Sequence, residues 1–421
     1  MTHIQASRGT KDILAPAIDS WRIIEEVSRE VLELANYKEI RTPIFENSNL
    51  YSRSLGQITD IVQKEMYSFK DRGQRDITLR PEGTAGVVRA FIEHKLYTET
   101  SLQRLWYVGP MFRYERPQAG RQRQFHQLGI ESIGSADPRI DAEIVSLAVQ
   151  ILNKLKIPDL DLEINSLGNI ESRNQYKEVL YNYLVPYLDE LDPEAQNRLK
   201  KNPLRLLDSK DSKIQLILDE GPKIIDYLDP ESLLHFNKVC GYLSSIDINY
   251  KINPKLVRGL DYYNKTTFEI KSTNLGAQDT ICGGGRYDNL VKSLGGPSIP
   301  AVGWAIGIER LILAILDNNE QHLLPLDCYI ITLGDEANNY SLKLVKQLRE
   351  KNLKVEMSLS DTSLQKQLRK ANQLKARTCL ILGKEELNQQ QVILKWLDNE
   401  LQELISLGSI DQIGTKIKSK I

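Results

Sequence analysis

Two extended runs, Leu102 to Tyr114 and Phe125 to Ile133, restrict the fold more than any other feature of the chain. Both are rich in aromatic and β-favouring residues. Between them lies a short polar stretch, Arg116-Pro117-Gln118-Ala119-Gly120-Arg121-Gln122-Arg123-Gln124. Parallel strands need a crossover of a dozen or more residues, so runs this close pair as a long antiparallel hairpin. Such a hairpin needs a sheet to sit in and helices to cover it. One helix is predicted from Asp19 to Ala35, where Trp21, Ile24, Val27, Val31 and Leu34 form a single apolar stripe and Asp19 suits an N-cap. A second is predicted from Asp141 to Lys154. The run Tyr37 to Glu46 is extended but carries Pro43. Proline removes a ladder donor, so this strand is expected at a sheet edge or in an interface.

With 421 residues the chain exceeds one ordinary core. Residues 170–252 change character, with helical periodicity (Tyr176, Val179, Leu180, Tyr183, Leu184) punctuated by Pro193, Pro203, Pro222 and Pro230. They read as a helical insertion, since β-type sequence resumes at Lys265–Lys271. An apolar strand-to-helix passage, Ala301 to Leu313, closes this part. The polar segment 317–326 is the best linker candidate. Beyond it strand and helix patterns alternate: Cys328–Leu333, Asn338–Lys351, Lys354–Leu359, Ser363–Ala376 and Thr378–Leu382. That alternation implies a small parallel α/β domain. The expected division is 1–169 and 253–320 as two parts of one α+β domain, 170–252 as the insertion, and 327–421 as the α/β domain.

The net charge is −1, so any nucleic-acid surface must be a local basic patch. No apolar run approaches the roughly 20 residues of a membrane span. Met1 to Arg8 lacks the build of a secretory signal, which makes the cytosol the expected compartment. Cys240, Cys282, Cys328 and Cys379 are scattered, as are the five histidines. Reduced, mostly buried thiols and no protein-bound metal are therefore expected.

Arg113, Arg116, Arg121 and Arg123 crowd the hairpin loop, with Glu115, Gln118 and Gln122 between them. Arginine presents a planar fork that matches phosphate oxygens. Arg113 and Glu115, two apart on an extended chain, share a face and can hold a phosphate and a base amine together. The plainer alternative is a solvated hairpin charged for solubility. Arg258, before Gly259-Leu260-Asp261-Tyr262-Tyr263, can line a polar pocket or belong to a simple turn. Arg80-Pro81-Glu82-Gly83-Thr84 suits gripping an ammonium group or is merely structural. Gly283-Gly284-Gly285 lacks the endings of a phosphate loop and suits backbone passing close to a ligand or strand. Arg310 lies where an apolar strand gives way to a helix, either exposed by chance or aimed into a site.

In order, these strings resemble the three motifs of class II aminoacyl-tRNA synthetases: the early proline-bearing helix–strand unit, Phe112-Arg113-Tyr114-Glu115 with its basic loop, and Gly303-Trp304-Ala305-Ile306-Gly307-Ile308-Glu309-Arg310-Leu311. Leu256 to Tyr263 and Cys282 to Asp288 resemble the two histidine-specific signatures of the histidyl-tRNA synthetase family. The resemblance spans essentially the whole chain and is weakest over the last thirty residues. It implies an antiparallel six-stranded sheet flanked by helices, a helical insertion and a C-terminal α/β anticodon-binding domain. It implies ATP-dependent activation of L-histidine to the adenylate, then transfer to the 3′ end of the matching tRNA, by a homodimer, with Mg2+ riding on the ATP phosphates.

The resemblance also assigns residues. Arg113 holds the α-phosphate, Glu115 meets the adenine amine, Phe125 and Arg310 flank adenine, and Arg310 and Arg121 serve ATP as well. Glu82, Gly83, Thr84 and Gln127 hold the histidine amino and carboxylate groups. Glu131 and Tyr263 bond the imidazole, with Tyr262 lining the same pocket. Arg258 stands by the α-phosphate and the attacking carboxylate, so Arg258, Arg113 and Gln127 form the catalytic set. Arg116, Gln118 and Arg123 approach tRNA. A synthetase-like regulatory subunit of histidine biosynthesis shares this fold but typically lacks the C-terminal domain and has eroded motifs. Arg113, Arg258, Arg310 and the α/β tail count against it here, and against a non-catalytic RNA-binding module.

Overall fold

The computed structural model describes residues 3–56, 59, 61–118, 120–272, 279–316, 326–399 and 401–419. The chain forms two compact units, residues 1–321 and 322–421. The expected linker, 317–326, lies outside the described residues except for Leu326.

In the first unit, α1 (Ala17–Leu34) starts earlier than Asp19, with Pro16 at the N-cap position and Asp19 in the first turn. Asp19 is therefore not the cap; its carboxylate faces the positive end of the helix dipole instead. Trp21, Ile24 and Val31 are buried as expected, whereas Leu34 is 81% exposed. The Pro43 run is split in two. Its first piece, β1 (Lys38–Glu39), lies parallel to a strand of the main sheet. Beyond the proline the chain changes partners: β2 (Phe45–Asn47) leads through α2 (Ser48–Leu55) to β3 (Ser68–Lys70) and β4 (Asp76–Leu79), a separate sheet ordered β2-β4-β3. Helix α3 (Thr84–Glu93) follows.

The hairpin is as long as its sequence implies. β5 (Gln103–Phe112) and β6 (Gln124–Ile133) pair from Gln103↔Ile133 to Phe112↔Gln124. After α4 (Pro138–Lys154) and β7 (Leu160–Ser166) come α5 (Ile170–Leu184), α6 (Pro193–Lys201), α7 (Ser212–Asp219) and α8 (Pro230–Ser245). Asp192 and Asp229 cap α6 and α8, with Pro193 and Pro230 at the helix starts, where a missing N–H costs nothing. Then follow β8 (Lys251–Ile252), β9 (Asn264–Ser272), β10 (Thr280–Arg286), α9 (Leu290–Ser293), β11 (Ala301–Gly307) and α10 (Ile308–Leu316).

The main sheet has eight strands, ordered β1-β5-β6-β11-β10-β9-β7-β8. The inner six are antiparallel; β1 and β8 add a two-residue parallel edge at either side, a length that blunts the edge. Period-two alternation gives the sheet two different faces. Trp106, Ile130, Phe268, Val302, Trp304 and Ile306 pack with α1, α4, α8 and α10 in one core. On the opposite face the same strands carry Tyr107, Gln127, Glu131, Glu269, Gly283, Gly303 and Ala305, small or polar residues that leave room for a ligand. Helices α5 to α7 bury Tyr176, Leu180, Leu199 and Ile214 in a second cluster shared with this face, while α8 sends Phe236, Val239 and Leu243 to the first core.

The second unit comprises β12 (Cys328–Thr332), α11 (Asp335–Glu350), β13 (Val355–Met357), α12 (Leu364–Gln373), β14 (Thr378–Leu382), α13 (Lys384–Asn388), β15 (Gln391–Trp396), β16 (Gln402–Ser406) and α14 (Ile410–Ser419). Its sheet is ordered β13-β12-β14-β15-β16. The first three strands are parallel, as the alternation predicts, but β15 and β16 close it as an antiparallel hairpin, so the sheet is mixed. All four cysteines are buried and unpaired. Among the described residues no helix is long and apolar enough to cross a membrane, and no group of three or more His, Cys, Asp or Glu is placed to hold a metal.

Candidate active site

The small-residue face of the main sheet opens into a cleft. Glu82, Thr84, Arg113, Glu115, Arg121, Phe125, Gln127, Arg258, Tyr262, Tyr263 and Arg310 all line it, although the sequence scatters them over more than two hundred residues. Gly83, Arg116, Gln118, Arg123 and Glu131 do not line it.

At one end, Arg113 is aimed by a hydrogen bond from its Nε to the Pro81 carbonyl at 2.9 Å, and its guanidinium lies 5.1 Å from the centre of the Phe125 ring. Glu115 sits between two cations, with Arg113 at 3.9 Å and Arg121 at 3.5 Å. Arg310 enters from the start of α10 and donates to the Thr280 carbonyl at 2.9 Å. Burial, then the charge of Arg121, lowers its pKa.

At the other end, the start of α3 is a carboxylate cradle. Glu82 accepts from the Thr84 and Ala85 amides at 2.7 and 2.9 Å, and burial raises its pKa against those bonds. Gly83 is required here because any Cβ would overlap the Tyr107 ring. Glu131 lies one layer behind the wall. It accepts from Thr84 Oγ1 at 2.7 Å and Tyr107 at 3.4 Å, and from Tyr287 in a very short bond. Burial pushes its pKa up to about 8, although the Tyr287 and Thr84 bonds favour the carboxylate. Burial also holds the hydroxyls of Tyr107, Tyr262 and Tyr287 well above the usual range, so they serve as O–H donors. Gln127 faces the cleft with its Oε1 buried and without a partner. Arg258 pairs with Glu269 and lies 5.8 Å from the Tyr263 ring centre.

The hairpin tip divides. Arg116 and Gln118 are exposed. Arg123 is folded back, its guanidinium 3.9 Å from the Tyr114 ring centre and its amide bonded to the Gly9 carbonyl at 2.7 Å.

Sequence reasoning missed Tyr107, Tyr287, Glu269, Thr280 and Glu309. Tyr287 stood inside the Cys282–Asp288 string, and Tyr107 faces opposite to its neighbour Trp106, as strand alternation requires. Glu309 adjoins Arg310 and accepts from the His126 amide at 2.9 Å, which locks β6 to α10. Glu269 and Thr280 gave no signal, being single polar residues in strands.

Comparison with known proteins returns a consistent result. A family profile described as histidyl-tRNA synthetase matches residues 9–311, and one described as anticodon binding domain matches 327–420. The histidine–tRNA ligase of Acaryochloris marina is 53% identical over 422 residues, covering 100% of this chain and 98% of that protein. The chloroplastic histidine–tRNA ligase of Pyropia yezoensis is 53% identical over 421 residues, again covering 100% and 98%. The crystal structure of apo S. aureus histidyl-tRNA synthetase superposes with a TM-score of 0.81 at 37% identity, covering 97% of this chain and 99% of that one.

Proposed function

The chain belongs to the histidyl-tRNA synthetase family, and on that premise we propose how its cleft divides the work of charging a tRNA. It is a class II ligase that activates L-histidine with ATP and transfers it to tRNA; the regulatory-subunit reading is not favoured.

In the proposed division, Arg113, Arg121 and Arg310 receive the triphosphate. Adenine lies between Phe125 and Arg310, and its amine donates to Glu115. Histidine sits at the other end. Its ammonium group and carboxylate meet Glu82, Gly83, Thr84 and Gln127, whose unpartnered Oε1 is an acceptor waiting for a donor. The imidazole is read by Tyr263 and by Glu131, which is hydrogen-bonded to Thr84 of the cleft wall. The carboxylate then attacks the α-phosphorus in line and pyrophosphate leaves. Arg113 and Arg258 supply fixed positive charge where the transition state gathers negative charge, so positioning and electrostatics do most of the catalysis. A pocket built on bonds to both ring nitrogens rejects analogues lacking them by roughly 10⁴-fold or more.

Mg2+ fits on the ATP phosphates rather than in a protein cage. The carboxylates of Glu82, Glu115 and Glu309 are already engaged by amides, arginines and His126, while a magnesium ion of this kind needs only one or two carboxylates beside the phosphates. The exposed Arg116 and Gln118 are proposed to meet the tRNA acceptor end, and the second unit its anticodon. Arg123 is proposed to act from beneath, shaping the loop through Tyr114. The enzyme is further proposed to be a cytosolic homodimer, in keeping with its four unpaired thiols.

One observation carries this reading: Arg113, Arg258 and Arg310 line one cleft with the Glu82–Thr84 cradle, and Glu131 is hydrogen-bonded to that cradle. Histidine-dependent ATP–pyrophosphate exchange tests it. Arg258→Ala is expected to stay folded and to lose at least about 10²-fold in adenylate formation. Unchanged single-turnover activation would remove Arg258 from the mechanism.

A further inference from the structure

Two cations of the cleft are tied together through Glu269, which does not line the cleft, and Thr280, which does. Arg258 pairs through Nη1 with one oxygen of Glu269, on β9. The other oxygen of Glu269 accepts from the Thr280 hydroxyl, on β10, at 3.0 Å. The Thr280 carbonyl accepts from Arg310, on α10, at 2.9 Å. A single path of hydrogen bonds therefore runs Arg258–Glu269–Thr280–Arg310 across three elements. Glu269 faces Gly283 in the β9–β10 register, and a Cβ on Gly283 would overlap the Arg258 guanidinium. The lane that the guanidinium occupies is thus closed by a carboxylate on one strand and left open by a glycine on the next.

We infer that Glu269 is the positioning residue for adenylate formation, fixing the Arg258 guanidinium before substrate arrives and carrying that placement to Arg310 through Thr280. The inference rests on the proposed role of Arg258. A half-buried guanidinium with no counter-ion is costly and free to swing toward any anion that enters. Paired with Glu269 it is held still and its charge is partly offset. The triphosphate in the ground state is then not over-bound, and Arg258 is already in place when charge builds at the α-phosphorus. Interactions stronger in the transition state than in the ground state are the ones that raise kcat.

Glu269→Gln keeps the shape and the bond to Thr280 but removes the charge. It is expected to lower kcat for histidine-dependent ATP–pyrophosphate exchange by about 10- to 100-fold, the cost of a misplaced group. KM for ATP is expected to fall or hold, because the freed cation attracts the triphosphate. Transfer from preformed adenylate to tRNA should be unaffected, and the melting temperature nearly so. Glu269→Asp, which retains the charge, should recover part of the kcat. Thr280→Val should lower kcat less than Glu269→Gln, and it decides the matter should Glu269→Gln fail to fold. In Arg258→Ala, adding Glu269→Gln should cost little more.

A rise in KM for ATP with kcat kept would overturn the inference. So would equal losses in the Gln and Asp variants together with a lowered melting temperature, or unchanged kcat in Thr280→Val when the Gln variant does not fold. A higher Mg2+ concentration needed for half-maximal rate in Glu269→Gln marks a metal ligand and overturns it as well. Full activity in Arg258→Ala sinks the underlying reading of Arg258. A dead Arg258→Ala beside an unaffected Glu269→Gln sinks the present inference alone.

Discussion

Neighbouring glycines in Gly283-Gly284-Gly285 face different obstacles, and the difference can be measured. A Cβ at Gly283 would strike the far end of a flexible side chain, Arg258; at Gly284 it would strike the Gly303 carbonyl in the backbone of β11. Gly283→Ala is therefore expected to fold normally and lose adenylation by about 10- to 100-fold. Gly284→Ala is expected to lose about 1–3 kcal/mol of stability by denaturant melting, as an overpacked core does. The reverse ranking would contradict both assignments. Glu131 offers a second test, this time of pH. Its pKa is about 8 in the folded chain against an ordinary 4.5. Between those values the folded chain keeps a proton that the unfolded chain has released. Its stabilising contribution is complete below 4.5, declines as pH rises through the window and is gone above 8. The melting temperature of the free enzyme, taken relative to Glu131→Gln, should accordingly fall from pH 5 to pH 8.5; a flat difference would mean that Glu131 is ionised throughout. None of this is visible residue by residue in the sequence. Composition reveals that Glu131 is acidic, but its proton is kept by burial in the folded sheet, against the opposing bonds from Tyr287, Thr84 and Tyr107.

At the scale of elements, the histidine-signature loop is held from outside. Arg205 donates to the Gly259 carbonyl at 2.9 Å and reaches Asp261 at the same distance. Arg173 donates to the carbonyls of Tyr263 at 2.8 Å and Asp261 at 3.3 Å. Both arginines belong to the helical segment, so that segment sets the backbone carrying Arg258, Tyr262 and Tyr263. Arg173→Ala leaves two part-buried carbonyls short of a donor, at roughly 1–3 kcal/mol each. It is expected to raise KM for histidine by about tenfold or more, with a smaller change in KM for ATP, since Arg113 and Arg310 are anchored elsewhere. Equal rises for both substrates would show a general loss of order instead. This grip also explains what was legible beforehand. The β5–β6 hairpin, α4 and the three parallel strands of the second unit follow from local periodicity and were readable from the sequence. The split of the Pro43 run, the closing hairpin β15–β16 and the Arg173–Tyr263 bond, spanning 90 residues, depend on partners far away in the chain. The ordered motifs, read as a resemblance, assigned half of the residues that line the cleft, but not Thr280, nor Glu269 and the arginines that hold the site from behind.

For the whole molecule, the small sheet poses the question of a second copy. In the β2-β4-β3 register Phe45 lies opposite Leu79 and Phe69 opposite Ile77, which places all four side chains on one face. Phe45 is 59% exposed and Phe69 50%, beside Ile44 at 43%. An apolar face of this kind, on a sheet that begins just past Pro43, is what a symmetric interface would cover, each large side chain adding about 1.5–3 kcal/mol when fully buried. The same strands lead into the cleft. β4 runs directly into Arg80, which donates to the carbonyls of Pro110 and Thr42 at 2.8 and 3.0 Å, and then into Glu82. Arg89 of α3 pairs with Glu46 of β2, fastening the same sheet to the carboxylate cradle. Uncovering this face should therefore disturb histidine binding as well as assembly. The double variant Phe45→Asp, Phe69→Asp is expected to sediment as a monomer where the parent chain sediments as a dimer, and to show a raised KM for histidine in the exchange assay. A parent chain that is monomeric at full activity would dissociate the two ideas, because the cradle would then hold its shape with the phenylalanines in water.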